Sequence, residues 1–133
     1  MYFGPQVQIV LAIPKPVALA FSNSGEPIPE FIPGLGLIDT GANSTCIDNN
    51  AAQKLGLPVV DKAKMSSASH NSFDTNVYPV EIQIPAAHIS LSVERALGAN
   101  LAAQGIVALI GRDVLRNMTM FYNGAMGEIT LAF

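Results

Sequence analysis

Residues 35–38 form an apolar run that delivers a single carboxylate, Asp39, into the tight sequence Thr40-Gly41-Ala42. The apolar run reads as a short strand, so the acid must sit on the turn that ends it. Such a strand holds the carboxylate rigidly, its apolar flank partly desolvates it, and Gly41 permits a close backbone approach. The side chain is aimed by this arrangement, not merely tethered. The plainer reading is an ordinary strand-ending turn, since Asp and Gly favour turns in any protein. Phe73-Asp74-Thr75-Asn76 repeats Asp-Thr without the glycine or the apolar approach and reads as loop, so the full pattern occurs once.

Around this turn the chain is dominated by strand signals. Val7, Ile9, Leu11 and Ile13 alternate with neighbours at the period of a strand, which Pro14 and Pro16 end. Residues 17–21 are a second short apolar run, and residues 22–33, with Gly25, Pro27, Pro29 and Pro33, read as a turn and extended linker. Residues 45–47 form a brief β segment. Asp48 is placed to cap a helix over residues 49–55 that Gly56 closes. The polar, Ser-rich residues 65–76 read as a hairpin or loop. Residues 77–84 and 88–94 alternate as strands, and residues 97–104 read as connection. A short helix is expected from Arg112, then strands over residues 120–122 and 128–133 around a turn at Asn123-Gly124. The expected class is all-β with one or two short helices. Neither an internal repeat nor a boundary interrupts the pattern, so residues 1–133 are expected to form one domain.

Composition narrows the function. Hydrophobic residues make up 50% of the 133 and charged residues only 13%, so some apolar surface is expected to be covered by a partner. The net charge of −3, with seven Lys plus Arg and no basic cluster, gives no footprint for nucleic acid. Cys46 is the only cysteine, which excludes an intrachain disulfide, a two-cysteine redox motif and a multi-cysteine zinc site. It is read as a small core residue, not a nucleophile. His70 and His88 stand apart without ligand spacing, so no metal is assigned. Asp113, at the start of a helix, is read as a cap or dipole partner. The first residues lack a basic segment and the apolar stretch after them is broken by prolines, so neither a signal peptide nor a membrane span is expected. A cytoplasmic location follows, with no membrane partner.

Two segments together carry a family resemblance. Leu37-Ile38-Asp39-Thr40-Gly41-Ala42, followed by the hydroxyl residues Ser44 and Thr45, resembles the catalytic turn of retropepsin-like aspartic proteases. Far downstream, Ala108-Leu109-Ile110-Gly111-Arg112-Asp113 resembles the apolar-Gly segment and helix that cross behind that turn. Order, spacing and the later strands match the single-lobed members, bacterial ones among them. The resemblance implies a retropepsin-like half-barrel, active as a homodimer on a peptide or protein substrate without a cofactor. Asp39 would meet its copy across a two-fold axis with the attacking water between them. Thr40 would hydrogen-bond across to the partner turn, Gly41 would offer its carbonyl to substrate, and Ala42 would stay small beside them. Leu109, Ile110, Gly111 and Arg112 would stand behind the turn. Asn43, together with Ser69 and His70 of the segment in the flap's position, would touch substrate.

The chain departs from the family pattern in two places. Retroviral flaps are rich in glycine, and residues 65–76 contain none. In many retroviral enzymes the arginine after the Gly pairs with an aspartate just past the turn, where Asn43 and Ser44 stand here. Arg112 is therefore left to bond the Asn43 amide or another carboxylate. The resemblance also implies a dimer sheet interleaving the N- and C-terminal strands, against the alternative that Phe133 merely completes an intramolecular sheet. These departures keep open a second function, a fold relative that binds extended peptides or assembles partners without cutting them. A glycosidase pair of Asp39 with Glu128 or Asp113 fits the carboxylate count alone, and the chain has no Trp to form a sugar platform.

Overall fold

A computed structural model describes residues 5–66 and 72–133. The alternating segment at the start is strand β1 (Gln6–Ala12), whose Ile9 and Leu11 are fully buried. It runs antiparallel to β2 (Ile32–Ile38), with Gln6 opposite Leu37 and Leu11 opposite Ile32. Between them lies α1 (Lys15–Asn23), entered from Pro14 with Pro16 in its first turn. Pro has no N–H to lose there and its fixed φ suits a helix start. The sequence reading missed this helix because it buries none of its residues, so five consecutive apolar positions replace the usual 3.6-residue contrast.

β2 continues parallel to β7 (Ala108–Ile110), which lies antiparallel to β3 (Cys46–Asp48). β3 runs parallel to β6 (Ile89–Ala99), β6 antiparallel to β5 (Ser72–Ile84), and β5 returns to β1 at Val10–Ala12. Six strands in the order β1-β2-β7-β3-β6-β5 thus close a barrel. Its interior is filled by Ile9, Leu11, Ile47, Leu55, Ile82 and Ile110, among others, all nearly without solvent contact. A seventh strand, β4 (Asp61–Ser66), pairs with β5 alone and extends beyond the barrel. β5 therefore begins inside the segment read as a polar loop, and β6 runs into the segment read as connection.

The helix capped by Asp48 is α2 (Asn49–Lys54). Asp48 is buried: its Oδ2 accepts the Ala51 N–H at 3.2 Å, and its Oδ1 accepts the N–H groups of Leu101 and Ala102 at 3.0 and 3.2 Å. One side chain thus caps a helix and anchors the loop leading to β7. Gly56 takes the left-handed conformation, φ 65°, that ends the helix. The third α-helix, α3 (Arg112–Leu115), is short, and α1 is the one added to the two expected; single 3-10 turns lie at Pro85–Ala87 and Ala102–Gln104. The chain then forms a separate hairpin of β8 (Thr119–Asn123) and β9 (Glu128–Ala132). Ile129 and Leu131 pack against the barrel core. Among the described residues no helix is long and apolar enough to cross a membrane.

Replacing Asp48 by Ala removes a helix cap and orphans the buried Leu101 N–H and the partly buried Ala102 N–H. A loss of about 2–3 kcal/mol is expected, more than a cap alone contributes. Urea unfolding of the two proteins measures it.

Candidate active site

The Asp39 turn is built from the backbone outward. Ile38 is buried, and its N–H donates to the Pro5 carbonyl at 2.8 Å. The Asp39 N–H donates to the Ile110 carbonyl at 2.9 Å, carrying the β2–β7 ladder one residue into the turn. Ala42 N–H closes the turn on the Asp39 carbonyl at 3.2 Å. The carboxylate is itself oriented, because Gly41 N–H donates to its Oδ1 at 2.9 Å. A Cβ on Gly41 would stand 3.2 Å from that oxygen, so the glycine permits the approach. Asp39 is half-buried, whereas Thr40, Gly41 and Asn43 are exposed.

Behind the turn, the start of α3 grips it from the other side. The Arg112 N–H donates to the Ala42 carbonyl at 2.8 Å. Its guanidinium donates to the Thr40 carbonyl at 2.8 Å and to the Asn43 side-chain oxygen. Of the two partners left open for Arg112, the structure thus shows the Asn43 amide. Gly111 is needed for the crossing: a Cβ there would lie 2.7 Å from the Ser44 backbone and 3.0 Å from Thr45 N.

Sequence reasoning missed the tie beneath this crossing. Thr45 is completely buried, and its Oγ1 donates to Asp113 Oδ1 at 2.7 Å while accepting the Gly111 N–H at 3.1 Å. Its own N–H donates to Asp113 Oδ2 at 3.0 Å. Asp113 also accepts the Val114 N–H from within the first turn of α3, where it is an acidic residue and not the cap, which is Gly111, so one carboxylate serves both ends of the crossing. A buried hydroxyl must find a partner. No local pattern names that partner, which lies 68 residues away.

Cys46 follows on β3 within a second apolar cluster, shared with Leu101 and Ile106 and flanked by Leu37, Met65 and Leu109. Burial pushes its thiol above the ordinary range, and the Asp113 and Asp39 carboxylates add to the effect. A thiol kept protonated in this way is a packing group and not a nucleophile. The structure therefore gathers Asp39, Thr40, Gly41, Ala42 and Asn43 against Leu109, Ile110, Gly111 and Arg112. Ser69 and His70 lie outside the described residues. Among the described residues no group of three His, Cys, Asp or Glu side chains is placed to hold a metal ion.

Comparison with known proteins places this geometry in a class. A retropepsin-like aspartic protease from Rickettsia conorii matches at TM-score 0.50 and 11% identity, over 99% of this chain and 94% of that one, and shows a shared fold. The retroviral protease-like domain of Ddi1 from Leishmania major matches at TM-score 0.49 and 12% identity, over 96% and 88%. The EIAV protease complexed with the inhibitor HBY-793 matches at TM-score 0.45 and 25% identity, over 64% and 76%. No curated protein sequence matches significantly. The aspartyl protease family model matches residues 32–114, well over half of the chain and inclusive of both motif segments. The chain belongs to the aspartyl protease family, with a retropepsin-like fold.

Gly111→Ala tests the crossing. The atoms that its methyl group meets belong to backbone and cannot rotate away. A destabilisation of about 2–3 kcal/mol is expected, the upper range of overpacking, read from the denaturation midpoint.

Proposed function

We propose that this chain is an aspartic endopeptidase active as a homodimer, in which the Asp39 carboxylates of two protomers hold and activate one water molecule. The observation that carries the reading is an acid whose carboxylate is held by the Gly41 N–H and whose backbone is held by two further hydrogen bonds, flanked by exposed Thr40 and Gly41, with no second such turn in the sequence. A rigidly aimed acid on an open face, in a family whose chemistry needs two, calls for its copy.

The C-terminal hairpin supplies a surface for that copy. Its inner face is spent on the barrel, while Phe121, Met126 and Phe133 remain 70%, 62% and 61% exposed. Apolar surface of this kind on a two-stranded sheet marks an interaction site. The N-terminal strand has less to offer than the sequence reading expected. β1 is paired on both edges at Val10 and Leu11, and with β5 at Ala12, so a dimer sheet can engage only the part of it before Val10.

In the dimer, two carboxyl groups held that close cannot both ionise readily, so one keeps a proton. The ionised Asp39 takes a proton from water as the oxygen attacks the scissile carbonyl carbon. The protonated Asp39 gives its proton to the carbonyl oxygen. As the resulting diol collapses and the C–N bond breaks, the Asp39 that gave up its proton takes one from a diol hydroxyl, and the proton first taken from water goes to the leaving amine. Thr40 and the Arg112 brace hold both acids in place, so the positioning is established before substrate arrives.

Asp39→Asn should lower cleavage of a peptide library by at least ~10³-fold while leaving the unfolding midpoint nearly unchanged. Cleavage undiminished in that variant would end the proposal. Extended peptides bound but left intact by the unaltered protein would favour the non-catalytic reading instead.

Sedimentation equilibrium should give twice the 14.0 kDa protomer mass. Phe121→Asp should return the protein to folded, inactive monomer. An active monomer would exclude the shared site.

A further inference from the structure

The ladder between β5 and β6 runs from Ile84 opposite Ile89 to Val77 opposite Leu97, and there it stops. Past this fork β5 pairs only with β4, as a two-stranded arm, while β6 continues beside β3 with Gly98 opposite Ile47. On its β5 side the Gly98 carbonyl has therefore lost the N–H that another rung would have provided. A buried carbonyl needs a substitute donor. The Thr75 hydroxyl, two residues out on the arm and itself buried, donates to it at 2.5 Å.

Three further features make the fork a specific device. Gly98 carries no side chain, and the space is taken by Asn49, whose Oδ1 would lie 2.2 Å from a Cβ there. Asn49 in turn donates to the Asn100 side-chain oxygen at 3.3 Å. Outside the fork lies a polar cleft of about 440 Å³ lined by Asn49, Asn50, Asn76, Asn100, Lys62 and Thr75. It offers water and carboxamides to a hydroxyl released from Gly98, so the released state has partners as well. A second polar tie from the arm to β6 is the Arg95–Asp61 pair at 2.8 Å, between β6 and β4. Asp61 stands opposite Val77, at the base of the fork, and both side chains are at least half exposed, so this pair adds little.

We propose that Thr75 is a positioning residue, a latch that holds the β4–β5 arm down on the side of the barrel carrying Asp39. The arm reaches that side through Met65, which packs on the cluster of Cys46, Leu101 and Ile106 together with Leu37 and Leu109. Leu37 and Leu109 belong to the paired strands that place the Asp39 turn. With the hydroxyl on Gly98 the arm is closed against this cluster. With it turned to the cleft, the arm pivots at Val77. The kinetic consequence rests on the protease reading, whereas the latch itself does not.

Hydrogen exchange of the full protein tests it. Thr75→Val keeps a β-branched residue of similar size and removes only the donor. Amides of residues 73–76 should exchange about five-fold faster, the factor that one net hydrogen bond commands. Those of Ile9, Ile47 and Ile82 should not change. Thr75→Ser, which keeps the hydroxyl, should behave as the unaltered protein. With a cleaved peptide, Thr75→Val should raise KM about five-fold and leave kcat within about two-fold. Arm exchange unaltered in the Val variant, a Ser variant that matches Val, or acceleration spread equally through the barrel would each overturn the latch. A protein that cuts no peptide would remove the protease reading and leave the latch to be judged on exchange alone.

Discussion

The structure depends on one crossing, where the chain leaving the Asp39 turn meets the start of α3. Two segments distant in sequence exchange backbone bonds there, Asp39 N–H to Ile110 and Arg112 N–H to Ala42. The pair of buried Thr45 and half-buried Asp113 locks them from below and the Arg112 guanidinium from above. A carboxylate on a free loop would sample many directions. Here its backbone is held at both ends and its oxygen by Gly41, so orientation comes from the fold and not from binding. The same crossing explains the small residue at position 111, since side-chain volume there would push directly on the backbone that follows the turn.

Much of this was legible in the sequence, and the boundary between what was and what was not is physical. Asp39-Thr40-Gly41-Ala42 and Leu109-Ile110-Gly111-Arg112 stand out because each is a compact local pattern whose residues must be of those types. Asp48 and Gly56 declare a helix because caps act within a few residues. Thr45 and Asp113 could not be joined by such reasoning. Each is ordinary in its own neighbourhood, and only the closed barrel brings the two together. α1 failed for the opposite reason, having local helix chemistry but no core-facing stripe to reveal it. Strand lengths were underestimated where polar residues continue a ladder beyond the core. Ser72–Asn76 keep pairing with β4 after β5 has left the barrel.

Apolar residues are divided among three places, which accounts for a composition rich in them. The barrel interior takes Ile9, Leu11, Ile47 and their neighbours. A smaller cluster around Cys46, Leu101 and Ile106 lies on the Asp39 side. The remainder stands on the surface, heavily on the C-terminal hairpin. That hairpin is held by one face only, through Ile129 and Leu131, and on its other face Phe121, opposite Thr130, is left exposed. Exposed apolar surface is stable where something covers it, and in the homodimer proposed above a copy of the chain would cover it while supplying the second carboxylate. One association then meets both needs.

The β4–β5 arm lacks the glycines that give retroviral flaps their freedom, and its architecture shows another way to combine order with movement. Paired strands are stiff along their length, so an arm of this kind moves as a unit and bends where the pairing changes. That place is Val77, where β5 exchanges one neighbour for another. Ladder bonds before the fork and hairpin bonds beyond it survive a change in angle, leaving the Thr75–Gly98 bond as the backbone-linked contact that must break. Placing one exchangeable hydrogen bond at the pivot, beside a polar cleft that accepts the released hydroxyl, sets the energy of movement near that of a single bond. Flexible residues in the arm are then unnecessary, and its inner face is free to carry side chains such as Met65 that pack against the cluster beside Asp39.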